Sequence, residues 1–171
     1  TWGPSPKEIA HLQEVGIDAW LEEQRTAPIS LFTVPTNKST ELATNQIDFF
    51  KQVMSGTDQL RQRVAFALLQ TCVVSGLELT KAYQLAPYMN MLRNNAFSPY
   101  RTVMREVTLS PAMGVYLNMV NNAKPDPAKG TFPNENYARE WMQLFSLGTS
   151  TLAMDGTAVP GAPAPYGQSD V

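Results

Sequence analysis

Three Ser-Pro pairs, at residues 5–6, 98–99 and 110–111, constrain the fold of this chain more than any other sequence feature. A serine hydroxyl can cap the N-terminus of a helix, and proline suits the first helical position, where no backbone N–H is needed. Glu8 lies three residues after Ser5 and completes a capping-box pattern. Each pair therefore predicts the start of a helix.

Apolar residues at helical spacing, separated by Gly, Pro and Ser-Gly breaks, continue this pattern along the chain. The predicted helices cover residues 6–15, 17–25, 40–54, 59–74, 77–95 with an interruption near Pro87, 99–109, 111–121 and 134–146. Residues 64–74 are apolar on nearly all sides, which is typical of a central buried helix. No segment shows a convincing alternating pattern of a strand. The predicted fold class is all-α, an irregular bundle of about seven or eight helices.

The end of the chain has a different composition from the rest. Residues 149–171 are rich in Gly, Pro, Ala and Thr, which predicts a mostly irregular tail with one short extended piece at 151–154. We therefore expect a helical domain over residues 1–148, long enough to bury a core. The tail is expected to lead toward a further C-terminal part.

Composition excludes some function classes and suggests others. The net charge is -2, and the closest basic cluster, Arg61 and Arg63, is flanked by Asp58, so we expect no nucleic-acid partner. No apolar run approaches the roughly 18 residues of a membrane span. Charged residues make up only 16% of the chain, against a typical ~25%. This low fraction predicts a surface covered by a small-molecule or protein partner, by a second copy of the chain, or by a further part of the protein.

The sequence offers little support for a metal or cofactor site. Cys72 is the only cysteine and lies in an apolar run, which favours a buried small hydrophobic side chain. His11 is the only histidine and is far from Cys72, which argues against a zinc site. Asp126 and Asp155 could in principle bind calcium, but no spaced acidic loop surrounds them. We expect no metal and no cofactor.

The segment PNENYAREWMQLFSLG, residues 133–148, combines a dense polar stretch with a helical apolar pattern. At 100° per residue, one side of the helix carries Ala138, Trp141, Met142 and Phe145, with Tyr137 on its flank. Glu135, Asn136, Arg139, Glu140 and Gln143 occupy the opposite arc. This arc either meets solvent as an ordinary polar face, or lines a cleft that binds a ligand.

In a cleft, the polar arc could support hydrolysis of glycosidic or ester bonds. Glu135 or Glu140 would act as acid or base, and Arg139 would bind an anionic or carbonyl group. Asn134, Asn136 and Tyr137 complete the candidate substrate-binding residues. The two glutamates are five residues apart, about 140° around the helix, so a carboxylate pair would need a partner from elsewhere. The candidates for that partner are Glu106, Asp126 and Asp155.

Several segments carry a resemblance to a known family. They are WGPSPKEI near the start, AWLEEQ at 19–24, DQLRQRVAFALLQTCVVS at 58–75, AFSPYRTVMREVTLSPAMGVYLNMVNN at 96–122, KPDP at 124–127, PNENYAREWMQLFSLG, DGT at 155–157 and YGQSDV at 166–171. On these segments the chain resembles the bacterial family called domain of unknown function 1800. Members are usually longer, so the resemblance implies the N-terminal half of a member.

The resemblance also implies an exported protein, in the envelope or outside the cell. It does not indicate any particular activity. Two residues depart from the family's pattern. Trp141 stands where members usually have Leu, and residues 68–72 lack the histidines that one branch carries there. We expect a binding or scaffolding role, with the hydrolase as the alternative.

Overall fold

A computed structural model describes residues 2–167 and 170 of the chain. Across these residues the regular structure consists of eight helices: α1 (Pro6–Val15), α2 (Ile17–Thr26), α3 (Ala43–Ser55), α4 (Gln59–Thr71), α5 (Ala82–Asn94), α6 (Tyr100–Leu109), α7 (Pro111–Tyr116) and α8 (Asn136–Gln143). Extended pairing is limited, over the same residues, to isolated antiparallel bridges. The predicted all-α class is confirmed. No helix in the described part of the chain is long and apolar enough to cross a membrane.

The Ser-Pro pairs begin helices as predicted. At α1 the capping box is complete, because Ser5 Oγ accepts the Glu8 N–H and Glu8 Oε2 accepts the Ser5 N–H, at 3.2 and 2.7 Å. At α6 the helix begins one residue later than predicted, with Pro99 as its N-cap. The helix α7 begins at Pro111 as expected.

Most helices differ from their predicted extents. For example, α3 begins at Ala43 rather than 40, α4 ends at Thr71 rather than 74, and α5 begins at Ala82 rather than 77. The helix α5 continues through Pro87 without interruption, although proline removes one backbone hydrogen bond. The helix α7 ends at Tyr116 rather than near residue 121, because the Met119 and Val120 N–H groups both turn back to the Gly114 carbonyl. Asn118 and Asn121 then adopt left-handed backbone angles, with φ of 59° and 61°, which asparagine tolerates better than most residues.

The chain divides into two compact units, Thr1–Ala112 and Met113–Val171. The first contains α1 to α6, and the second contains α8 together with most of α7. The predicted boundary between a helical domain and a tail at residue 148 stays a prediction.

The helix α5 is the most buried element of the first unit. Ala82, Ala86, Tyr88 and Leu92 are each no more than 1% exposed. The helix α4 packs against α2 and α5, but its residues 67 and 70 are exposed. The prediction that residues 59–74 form the buried central helix was therefore wrong, because tertiary packing gives that place to α5.

A buried carboxylate fixes the loop between α2 and α3. Asp58 is fully buried, and its two oxygens accept the Ser30 N–H at 2.8 Å, the Ser30 hydroxyl at 2.6 Å and the Gln62 amide at 2.8 Å. Burial disfavours its charge, but these hydrogen bonds outweigh that effect and hold the pKa of Asp58 below its ordinary value. A charged Asp58 thus ties residue 30 to the start of α4.

A buried cation completes this attachment. Arg93 on α5 is 3% exposed and donates to the Ser30 carbonyl and to Gln52 Oε1. Its guanidinium carbon lies 4.2 Å from the centre of the Phe32 ring, a cation–π distance. Burial lowers its pKa to about 10, so Arg93 is still charged at neutral pH.

Two asparagine side chains pair with backbone in the way a neighbouring strand would. Asn90 Oδ1 accepts the Phe32 N–H at 2.7 Å while its Nδ2 donates to the Phe32 carbonyl at 2.9 Å. In the second unit, Asn122 makes the same pair of bonds with the backbone of Asn134, at 2.7 and 2.6 Å. We call each arrangement an amide clasp.

The described part of the tail is irregular, as predicted. Leu152 pairs with Ala158 in an isolated antiparallel bridge. The predicted extended piece at 151–154 is therefore limited to this bridge, and the chain turns back between its two residues. Asp155 Oδ1 stabilises the turn by accepting the backbone N–H and the hydroxyl of Thr157, at 3.0 and 2.7 Å. These bonds lower the pKa of Asp155.

Candidate functional site

The helix α8 is shorter than the sequence predicts at both ends. Asn134 lies before the helix, and its Oδ1 accepts the Asn136 N–H at 2.9 Å, which is a local turn typical of asparagine. At the other end the Leu147 and Gly148 N–H groups return to the Met142 carbonyl, and Gly148 has a φ of +80°. Gly148 therefore closes the segment as expected, after an intervening turn.

The predicted division of this helix into two sides is confirmed in large part. Tyr137, Met142 and Phe145 are buried, while Trp141 is half-buried. The opposite side carries Glu135, Asn136, Arg139 and Glu140, which we call the polar face. Tyr137 thus lies with the apolar side chains.

Arg139 brings the polar face together. Its Nη1 lies 3.2 Å from Glu135 Oε1, its Nη2 donates to Asn136 Oδ1 at 2.8 Å, and its Nε lies 3.9 Å from Glu140 Oε1. The side chains of Arg139 and Glu135 are 40% and 44% exposed, and that of Glu140 is 22% exposed. An exposed pair at this spacing stabilises a helix by only ~0.3–0.5 kcal/mol.

The polar face can therefore hold a polar group, but its one cation is already shared by two carboxylates. Both glutamates approach the same guanidinium although they point in different directions around the helix. A ligand anion that bound Arg139 would compete with them for the guanidinium. The catalytic roles of Glu135 and Glu140, and the substrate-binding roles of Asn134, Asn136, Tyr137 and Arg139, stay predictions.

The candidate second carboxylates are engaged locally. Asp126 lies 3.0 Å from the Lys129 ammonium, and Glu106 lies 2.7 Å from Arg105. Asp155 accepts from Thr157 within its own turn. Each of these carboxylates therefore has a partner within its own loop or helix.

A second candidate site lies in the first unit, among α3, α4 and α5. It is a groove of about 530 Å³, within the range of roughly 300–1,000 Å³ that is typical of small-molecule pockets. Its lining contains no charged side chain, and we call it the apolar groove. The residues that line it are Leu42, Asn45, Gln46, Phe49, Phe50, Phe66, Leu69, Gly76, Leu85 and Met89.

The aromatic wall of the apolar groove is held in place from behind. The Trp2 ring makes edge contacts with Phe49 and Phe66, each at 5.4 Å between ring centres. Arg63 stacks over the same Trp2 ring at 4.6 Å. These contacts pre-organise the wall, while Phe50, at the groove, is 63% exposed.

Asn45 is the buried polar residue among those that line the groove. It is 3% exposed, and its Nδ2 donates to the Ala82 carbonyl at 3.4 Å. Its Oδ1 has no hydrogen-bond partner among the residues that the structure describes. Buried polar atoms nearly always have a partner, so this oxygen marks a position where a partner would be favourable.

The family comparison covers the whole chain. The family described as protein of unknown function, DUF1800, matches residues 1–171. The chain belongs to this family. No curated protein and no solved structure matches it.

In this DUF1800 member the sequence analysis missed the apolar groove. A partial signal was present in α3, where Ile47, Phe50 and Met54 form a second apolar stripe in addition to Phe49 and Val53. The three side chains of this second stripe are 54%, 63% and 84% exposed. Of this second stripe only Phe50 lines the groove. A helix that is apolar on its outer side as well as its inner side indicates a binding surface.

Proposed function

We propose that this DUF1800 protein is a binding domain without catalysis, which takes a small apolar molecule into the apolar groove. The observation that carries the proposal is the groove itself, about 530 Å³ in volume and lined by uncharged, mostly apolar side chains. Burial of apolar area from water contributes roughly 25 cal/mol per Å². An apolar ligand would gain this contribution along the whole groove.

The exposure of Phe50 supports the proposal further. An aromatic ring that is 63% exposed leaves much apolar area in water, and a ligand in the groove would cover part of it. The neighbouring rings of Phe49 and Phe66 are already fixed by Trp2. Binding would therefore require little ordering of the aromatic wall, which lowers its entropic cost.

The first prediction compares two exposed apolar residues of α3. Phe50→Ser should weaken binding of the neutral fluorophore Nile red by about fivefold or more, because it removes an apolar surface that the ligand contacts. Ile47→Ser is the matched control, since Ile47 is similarly exposed but does not line the groove. Fluorescence titration measures both. Equal weakening by the two substitutions would show general surface binding and contradict the proposal.

The proposal also covers the compartment and the assembly of the protein. The resemblance to exported family members supports a place in the envelope or outside the cell, and cell fractionation tests it. The low charged fraction of 16% supports self-association. Sedimentation at increasing concentration should then show a growing average mass, and a constant monomer mass would contradict it.

The alternative proposal is a hydrolase of glycosidic or ester bonds that uses the polar face. It is favoured by Glu140, whose side chain is only 22% exposed and lies near the Arg139 guanidinium. If it holds, chromogenic glycosides or esters should be cleaved, and Glu140→Gln or Glu135→Gln should lower kcat by about 100-fold or more. Glu14→Gln, on the exposed surface of α1, is the control. Activity that survives both polar-face substitutions would reject these roles.

A further inference from the structure

We infer that the ligand of the apolar groove is a neutral amphiphile, an apolar body with a hydroxyl or amide N–H that donates a hydrogen bond to Asn45 Oδ1. The inference rests on the proposed binding function and specifies the chemistry of the ligand. It starts from Asn45, which lines the groove and whose buried Oδ1 has no partner among the described residues.

The fold uses only one end of the Asn45 amide. The Nδ2 group donates to the Ala82 carbonyl, at the long distance of 3.4 Å. The end of the amide without a hydrogen bond is therefore the oxygen. A carboxamide oxygen can accept two hydrogen bonds, and a buried one that accepts none is unfavourable. A leucine of similar size would fill the same space without that penalty, so packing alone does not account for an asparagine here.

A ligand is a better hydrogen-bond partner for Asn45 Oδ1 than a single water molecule. A buried water needs two to four polar partners, and apart from Asn45 and the exposed Gln46 the groove is lined by apolar residues and Gly76. A ligand donor brings its own apolar body to fill the remaining volume. Because Oδ1 itself has almost no exposed surface, the Asn45 amide must turn toward the groove for such a donor to reach it. The bond that this turn would break is the long one to the Ala82 carbonyl.

Gln62 gives an instructive contrast. Its Oε1 is also buried without a partner among the described residues, but it lines a separate cavity of only about 20 Å³. That volume is close to what one water molecule needs. Phe49, Phe66 and Met89 belong to both linings, so the aromatic wall lies between a water-sized space and the larger groove.

The absence of charged side chains from the groove lining favours a neutral ligand. The groove contains no basic side chain to pair with a carboxylate and no acidic one to pair with an ammonium group. An ionised group would therefore be buried unpaired, which is strongly unfavourable. A carboxylate would in addition place acceptor oxygens against the Asn45 acceptor.

The experiment displaces Nile red with matched ten-carbon ligands below their micelle-forming concentrations. Decanol should bind about three- to tenfold more tightly than decyl methyl ether, which has the same apolar chain but no donor, as expected for one hydrogen bond. Decanoate should bind more weakly than decanol. Equal binding of decanol and the ether, or decanoate as tight as decanol, would overturn the inference.

Variants assign the effect to Asn45. Asn45→Leu should retain Nile red binding and lose the preference for decanol, whereas Gln46→Leu, at the adjacent lining residue, should keep the preference. A preference that persists in a folded Asn45→Leu protein would overturn the assignment. If that variant does not fold, the ligand comparison on the unaltered protein still decides the donor requirement. Nile red binding that does not depend on Phe50 would instead reject the proposed function itself.

Discussion

Asp58→Ala should lower the free energy of unfolding by about 3 kcal/mol or more. The carboxylate is fully buried and accepts hydrogen bonds from the Ser30 backbone, the Ser30 hydroxyl and the Gln62 amide. Alanine removes the acceptor of all three donors and one of the two negative charges that act on Arg93, and each such loss is costly in a buried position. Urea denaturation followed by circular dichroism measures the change.

The control for this prediction is Asp18→Ala, an exposed acidic residue in the first turn of α2. Its effect should stay within about 0.5 kcal/mol. A similar loss for both variants would show that the buried carboxylate has no special role.

The effect of Asp58 should depend on pH in one direction. Its pKa is lower in the folded protein than in the unfolded chain, so its ionised form stabilises the fold at pH values above about 4, the ordinary pKa of an aspartate. That contribution is lost as the pH falls through the lowered folded value. The difference between the wild-type protein and Asp58→Ala should therefore shrink as the pH is lowered from about 5. A difference that stays constant on acidification would contradict the role of the charge.

Arg93→Met should also destabilise the protein by about 3 kcal/mol. Methionine keeps an apolar stem in the same space, but it removes the donors to the Ser30 carbonyl and Gln52, as well as the contact with the Phe32 ring. It also leaves the charge of Asp58 buried without a nearby cation, and breaking a buried charge arrangement on one side costs several kcal/mol. Thermal and urea unfolding measure the loss.

Two further variants separate charge from geometry at Arg93. Arg93→Lys keeps the positive charge but not the planar fork, so it should recover part of the stability. The double variant Asp58→Ala/Arg93→Met should lose less than the sum of the two single losses, because each single change leaves the other charge unpaired. Strict additivity would contradict the coupling between them.

The sequence predicts the local part of this fold well. The capping box of Ser5 and Glu8, the breaks at Gly16 and Gly56, and the two-sided pattern of α8 all depend on residues within one or two turns of each other. The ends of α7 and α8 are shifted by local turns, whereas the continuity of α5 depends on distant packing. Pro87 predicted an interruption, but its neighbours Ala86 and Tyr88 are buried, and this packing keeps α5 continuous.

The same distinction applies to the candidate sites. The contacts of Arg139 with Glu135 and Asn136 follow from helical spacing alone, so the polar face could be predicted. The apolar groove takes residues from α3, α4 and α5, separated by up to 47 positions between Leu42 and Met89. Asp58 likewise meets Ser30 from 28 positions away. No periodicity within one segment indicates which such residues meet, because their proximity is a result of tertiary packing.

The amide clasps change which backbone hydrogens should be slow to exchange with solvent. Phe32 lies outside every helix, but its N–H is bound by Asn90 and its side chain is 3% exposed. Its exchange therefore requires the loop to separate from α5, at a free-energy cost closer to that of core helices than of ordinary loops. Asn134 has the same clasp on an exposed segment, where opening is local. In this protein, protection from exchange follows the side-chain amides as well as the helices.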